Sequence, residues 1–210
     1  MTGERLDLVA LVADADAEWT LRTLLEKRTA ALQIRPLSFK ILREIGHDPG
    51  VFLNAPFLLR PYVNQTNHAL VMLDREGSGR EHRFQAQEME TDLENRLQQN
   101  GWVDRQGTPR AAAIVLDPEL EIWVWSRSPH VATVLSLSQD VLQHVLSGFS
   151  IAPNGKPEHP KEALLAALRR GKQPHSARIF QELAERVGLE TQERAFIKLR
   201  QTLQTWYPKI

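Results

Sequence analysis

The chain has 210 residues, of which 42% are hydrophobic, so it is long enough for one large domain or for a domain with a small helical addition. Lysine plus arginine and aspartate plus glutamate each number 26, so the overall charge does not indicate a polyanionic partner. There are no cysteines, which excludes disulfides, thiolate zinc sites and cysteine nucleophiles and fits a reducing compartment.

The N-terminal residues 1–7 lack the cationic start and the long apolar stretch that are typical of a signal peptide. No window approaches the roughly 18 apolar residues that a membrane-spanning helix needs. We therefore expect a cytoplasmic protein with no membrane partner.

The first predicted element is a buried strand over residues 6–12, an apolar run interrupted only by Asp7. An acidic turn follows, and residues 19–25 have the apolar spacing of a helix, as at the start of a βα unit. Residues 34–42 are predicted to form a second strand. Pro36 indicates that this strand lies at an edge or begins irregularly.

The middle of the chain continues the alternation of strands and helices. Residues 46–50 have the composition of a loop, and a helix limited by two prolines is predicted over 51–63. Residues 69–73 form the clearest buried strand, and the spacing over 81–99 predicts a helix that Gly101 is well placed to end.

A further buried strand is predicted over residues 111–116, while periodicity leaves residues 120–125 open between strand and helix. Strands that alternate with helices indicate an α/β fold, a mostly parallel sheet with helices on both faces. We assign this domain to residues 1–128 and a helical C-terminal region packed on it to residues 129–210. The helices predicted in that region are 131–146, 161–170, 176–187 and 190–206.

Acidic residues follow three of the four predicted strands. They are Asp14, Asp16, Asp74, Glu76, Asp117, Glu119 and Glu121. In an open parallel sheet, ligands bind beyond the carboxyl ends of the strands, so these side chains are expected to converge. Carboxylates brought together repel one another unless they are protonated or bridged by a cation. Oxygen-rich sites of this kind suit Mg²⁺ or Mn²⁺, which can activate water and stabilise charge during phosphodiester cleavage.

An acidic turn after the first strand, followed by a hydrophobic strand that ends in Asp-x-Glu, resembles a Toprim domain, the metal-binding fold of topoisomerases, primases and OLD-type nucleases. The run over residues 74–81, with residues 120–125 and 156–162, resembles the small Toprim-like component of bacterial methylation-associated phage-defence systems. The resemblance implies a metal-dependent nuclease or phosphoryl-transfer component of an anti-phage system. It also implies DNA or RNA and other defence proteins as partners.

One departure from the Toprim pattern bears on catalysis. A typical Toprim domain has Glu-Gly after its first strand, and that glutamate is taken as the catalytic acid or base, whereas this chain has Ala13-Asp14. Either Asp14 or Asp16 takes over the role, or the centre binds metal without the usual catalysis. The second possibility predicts a non-catalytic scaffold or interaction subunit of the same system.

The predicted site has Asp74, Glu76 and Asp14 as catalytic residues, and the same three with Glu121 as metal ligands. A solvated turn is the alternative for Asp74 and Glu76. For Asp14 it is a helix N-cap, and for Glu121, which lies between apolar residues, it is a salt bridge to an arginine.

Four secondary candidates surround this set. Asp16 is a weaker ligand candidate, because acids in the first turn of a helix are favoured by the helix dipole. His47 and Asp48 could supply a general base or another ligand, or simply form a turn. Arg80 could hold a phosphate or neutralise neighbouring acids. A small-molecule enzyme of the doubly wound type is a weaker hypothesis, since no glycine-rich phosphate loop follows the first strand.

Overall fold

In the computed structural model, which describes residues 5–126, 128–189 and 192–209, four parallel strands form one sheet with helices on both faces. The order of the strands across the sheet is β2-β1-β3-β4. The strands are β1 Leu6–Val12, β2 Phe39–Arg43, β3 Thr66–Asp74 and β4 Ala111–Leu116. The predicted α/β class is confirmed.

Helices separate the strands along the chain. In the first part of the chain they are α1 Ala15–Lys27, α2 Thr29–Leu32, α3 His47–Leu59 and α4 Ala86–Gln99. Two short 3₁₀ helices span Arg60–Tyr62 and Leu120–Trp123, and the second of these follows β4. The later helices are α5 His130–Val134, α6 Gln139–Leu146, α7 Pro160–Arg170, α8 Ala177–Arg186 and α9 Arg194–Trp206. Within the described residues, no helix is of a length and apolar character that would let it cross a bilayer.

Alternate residues of the strands face two hydrophobic cores, because successive side chains of a strand point to opposite faces of the sheet. One face, which includes Leu8, Leu70 and Ile114, packs with α1 and with the helices that follow β4. The other, which includes Val9 and Val71, packs with α3 and α4. Both faces are therefore buried, as the nearly continuous apolar runs of the strands predict.

Several element boundaries differ from the predictions. β2 begins at Phe39 and not at residue 34, since Ile34 instead forms an isolated bridge with Pro208. The predicted loop over residues 46–50 was wrong: α3 begins at His47, and Pro49 lies in its first turn, where the N–H that proline lacks needs no helical partner. α3 ends at Leu59, before the 3₁₀ turn that contains Pro61.

Later boundaries differ in the same way. α4 begins at Ala86 and not at residue 81, with a capping box formed by Gln85 and Glu88. The ambiguous segment after β4 is a 3₁₀ helix. The helix predicted over 131–146 is two helices, α5 and α6. Residues 190 and 191 of the last predicted helix lie outside the described residues.

Side chains cover the outer edge of β4. The main-chain N–H groups of Val115 and Ala113 donate to the carboxylates of Glu90 (2.8 Å) and Glu94 (3.0 Å) on α4. Arg194 of α9 donates to both Glu90 and the Val115 carbonyl, and Lys198 donates to both glutamates. These bonds satisfy backbone groups that an edge strand otherwise leaves open to another chain.

The chain beyond α9 returns to the amino end of the sheet. The buried Tyr207 hydroxyl donates to the Asp7 carbonyl at 2.7 Å and lies 3.0 Å from Nδ1 of His68, whose ring stacks on Trp206. Because the single hydroxyl proton is used on Asp7, the His68 Nδ1–H is the donor of the second bond. This contact ties the C-terminal helix to β1 and β3.

Candidate metal centre

The parallel register brings acids from two strands to one edge of the sheet. β1 pairs with β3 so that Val12 lies opposite Met72, and Asp14 and Asp74 each follow two residues later. Both line a cavity of about 170 Å³ at the carboxyl end of the sheet. The predicted convergence of the first-strand and third-strand acids is therefore present in the structure.

The innermost group of acids consists of Asp74, Glu119 and Glu121. One carboxylate oxygen from each lies within 4.8 Å of the other two. Asp74 ends β3, whereas Glu119 precedes the 3₁₀ helix after β4 and Glu121 belongs to it. Glu119 and Glu121 are only 6% and 4% exposed, so two carboxylates are held almost out of water beside a third.

Three further aspartates line the same cavity, and each has a defined position. Asp14 caps α1 by accepting the main-chain N–H of Ala17 at 2.8 Å. Asp48, in the first turn of α3, accepts the main-chain N–H of Asp74 at 2.7 Å. Asp16 lies 3.3 Å from Nε2 of His175, which also lines the cavity. The three aspartates therefore lie at the starts of α1 and α3, around the innermost group.

Lys161 of α7 brings a positive charge to this cavity. Its main-chain N–H donates to one carboxylate oxygen of Glu119 at 3.0 Å, and its ammonium lies 3.8 Å from the other. Burial lowers the pKa of Lys161, but the surrounding acids, Glu121 and Glu119 first, outweigh that effect and raise it. One lysine thus faces six carboxyl groups, three of them in the innermost group.

The pKa values of five of these acids rise through burial and the repulsion of neighbouring carboxylates. Burial is the largest cause for Asp74, whose pKa lies well above its usual range, and Asp48 and Glu121 add to it. The pKa of Glu119 rises to about 7, through burial and then the Glu121 charge. Burial likewise raises the pKa values of Asp16, Asp48 and Glu121. A divalent cation would relieve this repulsion, which is the electrostatic property of a cation site.

The structure places the predicted residues in three groups. Asp74 and Glu121 belong to the innermost group, and Asp14, Asp16 and Asp48 line the cavity with them. Glu76 is exposed, because the chain turns away after Asp74, with the Ser78 N–H donating to the Arg75 carbonyl. The Glu76 charge still reaches Glu119 and raises its pKa.

His47 and Arg80 do not line the cavity. His47 is exposed at the start of α3, and the Arg80 guanidinium lies over the Phe52 ring, 5.6 Å from its centroid. Three residues outside the predicted site, Glu119, Lys161 and His175, belong to the cavity or its innermost group. Glu119 is one of the strand-end acids that were expected to converge, although it was not among the predicted ligands. Lys161 and His175 come from helices far along the chain, and no local pattern indicates them.

The donor set suits a hard divalent cation, since it consists of carboxylate oxygens without sulfur. Around an octahedral Mg²⁺, ligand oxygens lie about 3 to 4 Å apart, given metal–oxygen distances of about 2.1 Å. The innermost carboxylates, within 4.8 Å, need only a small contraction to reach that spacing. These residues can therefore hold a metal ion. No family model, curated protein or solved structure shows a significant match to this chain.

Proposed function

We propose that this chain is a Mg²⁺- or Mn²⁺-dependent nuclease or related phosphoryl-transfer protein of bacterial anti-phage defence. The observation that carries the proposal is the convergence of Asp74, Glu119 and Glu121, with an oxygen of each within 4.8 Å of the others, at the carboxyl edge of a parallel sheet. The assignment to defence, with DNA or RNA as substrate, is supported only by the Toprim-like resemblance of residues 74–81 and the two segments that accompany them.

Each group of residues has a task in this proposal. Asp74, Glu119 and Glu121 would hold the ion, which when bound supplies an activated water and compensates charge on a phosphate. Asp48 fixes the main chain of Asp74, and Asp14 keeps the start of α1 beside it. Lys161 offers an ammonium at the cavity, where it can neutralise a phosphate oxygen.

The function is tested with purified full-length protein on single-stranded DNA, double-stranded DNA and RNA, with Mg²⁺ or Mn²⁺. We expect cleavage of at least one substrate, its loss in the isosteric variant Asp74→Asn, and its retention in Asp140→Asn, which removes an exposed acid on α6. Cleavage by Asp74→Asn at the rate of the unaltered protein would exclude this centre as the source of activity.

A non-catalytic scaffold of the same defence system is the second candidate, and two observations favour it. Ala13 stands where Toprim domains have their catalytic glutamate, and the adjacent Asp14 uses a carboxylate oxygen as a helix cap. Lys161, already 3.8 Å from Glu119, would then serve as the permanent counter-ion of the acids. In that case the protein cleaves none of the three substrates, Asp74→Asn still protects cells against phage, and pull-down recovers other defence proteins.

A further inference from the structure

The sheet ends in two edge strands, β4 and β2, and the outer sides of these strands differ. On β4, the carboxylates of Glu90 and Glu94 accept the outward main-chain N–H groups of Val115 and Ala113. Within residues 5–126, 128–189 and 192–209, no side chain makes such a bond to the outer side of β2. An edge strand left in this state is a template for pairing with another chain.

The outward main-chain groups of β2 belong to Phe39, Ile41 and Arg43. The Glu44 N–H donates to the Val12 carbonyl at 3.0 Å, and the register places the even-numbered residues of this strand in bonds to β1. Because a strand in a ladder uses alternate residues for each side, the N–H and C=O groups of the odd-numbered residues point away from β1. We call the main-chain groups of these three residues the open edge.

Two charged side chains of β2 lie on the faces of the sheet and leave the open edge unpaired. Charged residues commonly protect an edge strand, so their positions matter. Nε of Arg43 lies 3.0 Å from the Glu18 carboxylate of α1, on one face. The Lys40 ammonium lies 5.1 Å from the centroid of the Tyr62 ring. Neither contact involves the main chain of β2.

Exposed apolar side chains flank the open edge. Ile45, two residues beyond the end of β2, is 94% exposed. Trp19 of α1 is 38% exposed and lies close to Phe39, since the Arg22 guanidinium is 5.9 Å from the centroid of the Trp19 ring and 5.8 Å from that of Phe39. A partner that pairs with the open edge therefore also removes apolar surface from water.

The open edge is complementary to a second copy of itself. A two-fold axis through the edge sets the two β2 strands antiparallel, with the same surface on both copies. When Ile41 lies opposite Ile41 of the second copy, Phe39 lies opposite Arg43, and every N–H and C=O of the open edge has a partner. Lys40 then lies opposite Leu42, so that no like charges face each other. Registers centred on Lys40 or Arg43 would set like charges directly opposite, which is destabilising.

We propose that β2 forms the interface of a two-fold symmetric dimer, in which the two β2 strands pair antiparallel about Ile41. The pairing joins the four-stranded sheets of two copies into one sheet of eight strands. Because the two halves run in opposite directions, the acids at their carboxyl ends lie at opposite ends of the joined sheet. The dimer itself does not depend on metal binding or on the proposed function.

The mass of the full chain in sedimentation equilibrium gives the first test. We expect the unaltered protein to approach twice its chain mass of 23.9 kDa at micromolar concentration. Ile41→Pro removes an outward N–H that β1 does not use, and edge strands accept proline at such positions. It should weaken dimerisation at least about tenfold, since hydrogen bonds across the interface are lost. The control Ile41→Val keeps the N–H and should dimerise like the unaltered protein.

Crosslinking tests the register, and the chain suits it because it contains no cysteine. Ile41→Cys should form a disulfide between copies under mild oxidation. Directly opposite residues of a hydrogen-bonded antiparallel pair have Cα atoms about 5.5 Å apart, within the range of a disulfide. The control Gln87→Cys, an exposed position on α4, should stay uncrosslinked.

A pair of charge variants decides the proposal if Ile41→Pro does not fold. Ile41→Lys and Ile41→Glu each set like charges opposite each other and should be monomeric, whereas an equimolar mixture should form a dimer. An unaltered protein that stays at 23.9 kDa would overturn the proposal and assign the open edge to a strand of another protein. A dimer that is unchanged in folded Ile41→Pro, equal crosslinking of Ile41→Cys and Gln87→Cys, or no dimer in the mixture would overturn it too.

Discussion

The main-chain N–H of Asp74 donates a 2.7 Å hydrogen bond to the carboxylate of Asp48, which joins the end of β3 to the first turn of α3. The bond holds two acids side by side, and their repulsion contributes to the raised pKa of Asp74. A fold that fixes like charges together in this way stores an unfavourable interaction, and a bound cation removes it.

Glu119 makes the stability of the metal-free protein depend on pH. Its pKa rises from the 4.5 of an ordinary glutamate to about 7 in the folded chain, mainly through burial. The folded protein therefore favours the protonated form of Glu119. As the pH rises from 4.5 through 7, the free energy of unfolding falls by about 3 kcal/mol, because the carboxylate must then ionise in a buried position. In urea unfolding with a chelator, Glu119→Gln should match the unaltered protein at pH 4 and exceed its stability at pH 8. A difference that does not change with pH would contradict this cause.

The covered edge of β4 predicts a large effect of Glu90. This residue is 3% exposed and accepts hydrogen bonds from the Val115 N–H, Arg194 and Lys198. Glu90→Ala leaves the Val115 N–H without its acceptor and removes the buried carboxylate that Arg194 and Lys198 share, so we expect the free energy of unfolding to fall by about 3 kcal/mol. The control Asp92→Ala breaks an exposed pair with Arg96 on the same helix and should cost less than about 1 kcal/mol. Equal losses in urea unfolding would show that the edge contacts contribute little.

Tyr207 is expected to contribute through its hydroxyl alone. The Tyr207→Phe variant keeps the buried ring but loses the bonds to the Asp7 carbonyl and to His68. The free energy of unfolding should fall by about 1–2 kcal/mol, because the Asp7 carbonyl then loses the Tyr207 hydroxyl as a donor. Thermal or urea unfolding at pH 7 measures the loss. A variant as stable as the unaltered protein would mean that water replaces the hydroxyl.

A Mn²⁺ titration of a Lys161 variant distinguishes a catalytic centre from a scaffold. Since its ammonium competes with a cation for the same carboxylates, Lys161→Met should bind Mn²⁺ about tenfold more tightly in calorimetry. Its cleavage rate should nevertheless fall, because the ammonium no longer faces the phosphate. If only the variant binds Mn²⁺, Lys161 is a permanent counter-ion and the protein is a scaffold. Weaker binding by the variant contradicts both assignments.

Much of the fold could be predicted from the sequence, because buried parallel strands such as residues 69–73 leave continuous apolar runs. The predicted ends of the strands also indicated that Asp14 and Asp74 lie at the same edge of the sheet. The register of β1 and β3 confirms this. Boundaries set by capping, such as the start of α4 at Ala86 beside the Gln85–Glu88 capping box, were not visible in hydrophobic spacing.

The remainder of the site depends on tertiary packing. Lys161 and His175 reach the cavity only because α7 and the segment after it fold back to the sheet edge. The turn after Asp74 likewise decides that Glu76 faces solvent while Asp74 faces the cavity. Sequence patterning identifies the strand that carries an acid, whereas packing decides which side chains point at the same ion.

The most direct test of the metal centre is a crystal of the protein soaked in Mn²⁺, with data collected for anomalous scattering. We predict a peak between Asp74, Glu119 and Glu121, about 2.2 Å from a carboxylate oxygen of each, and no such peak in crystals of Asp74→Asn. A soaked crystal with no anomalous density there, and with the Lys161 ammonium bonded among the three carboxylates, would contradict the account.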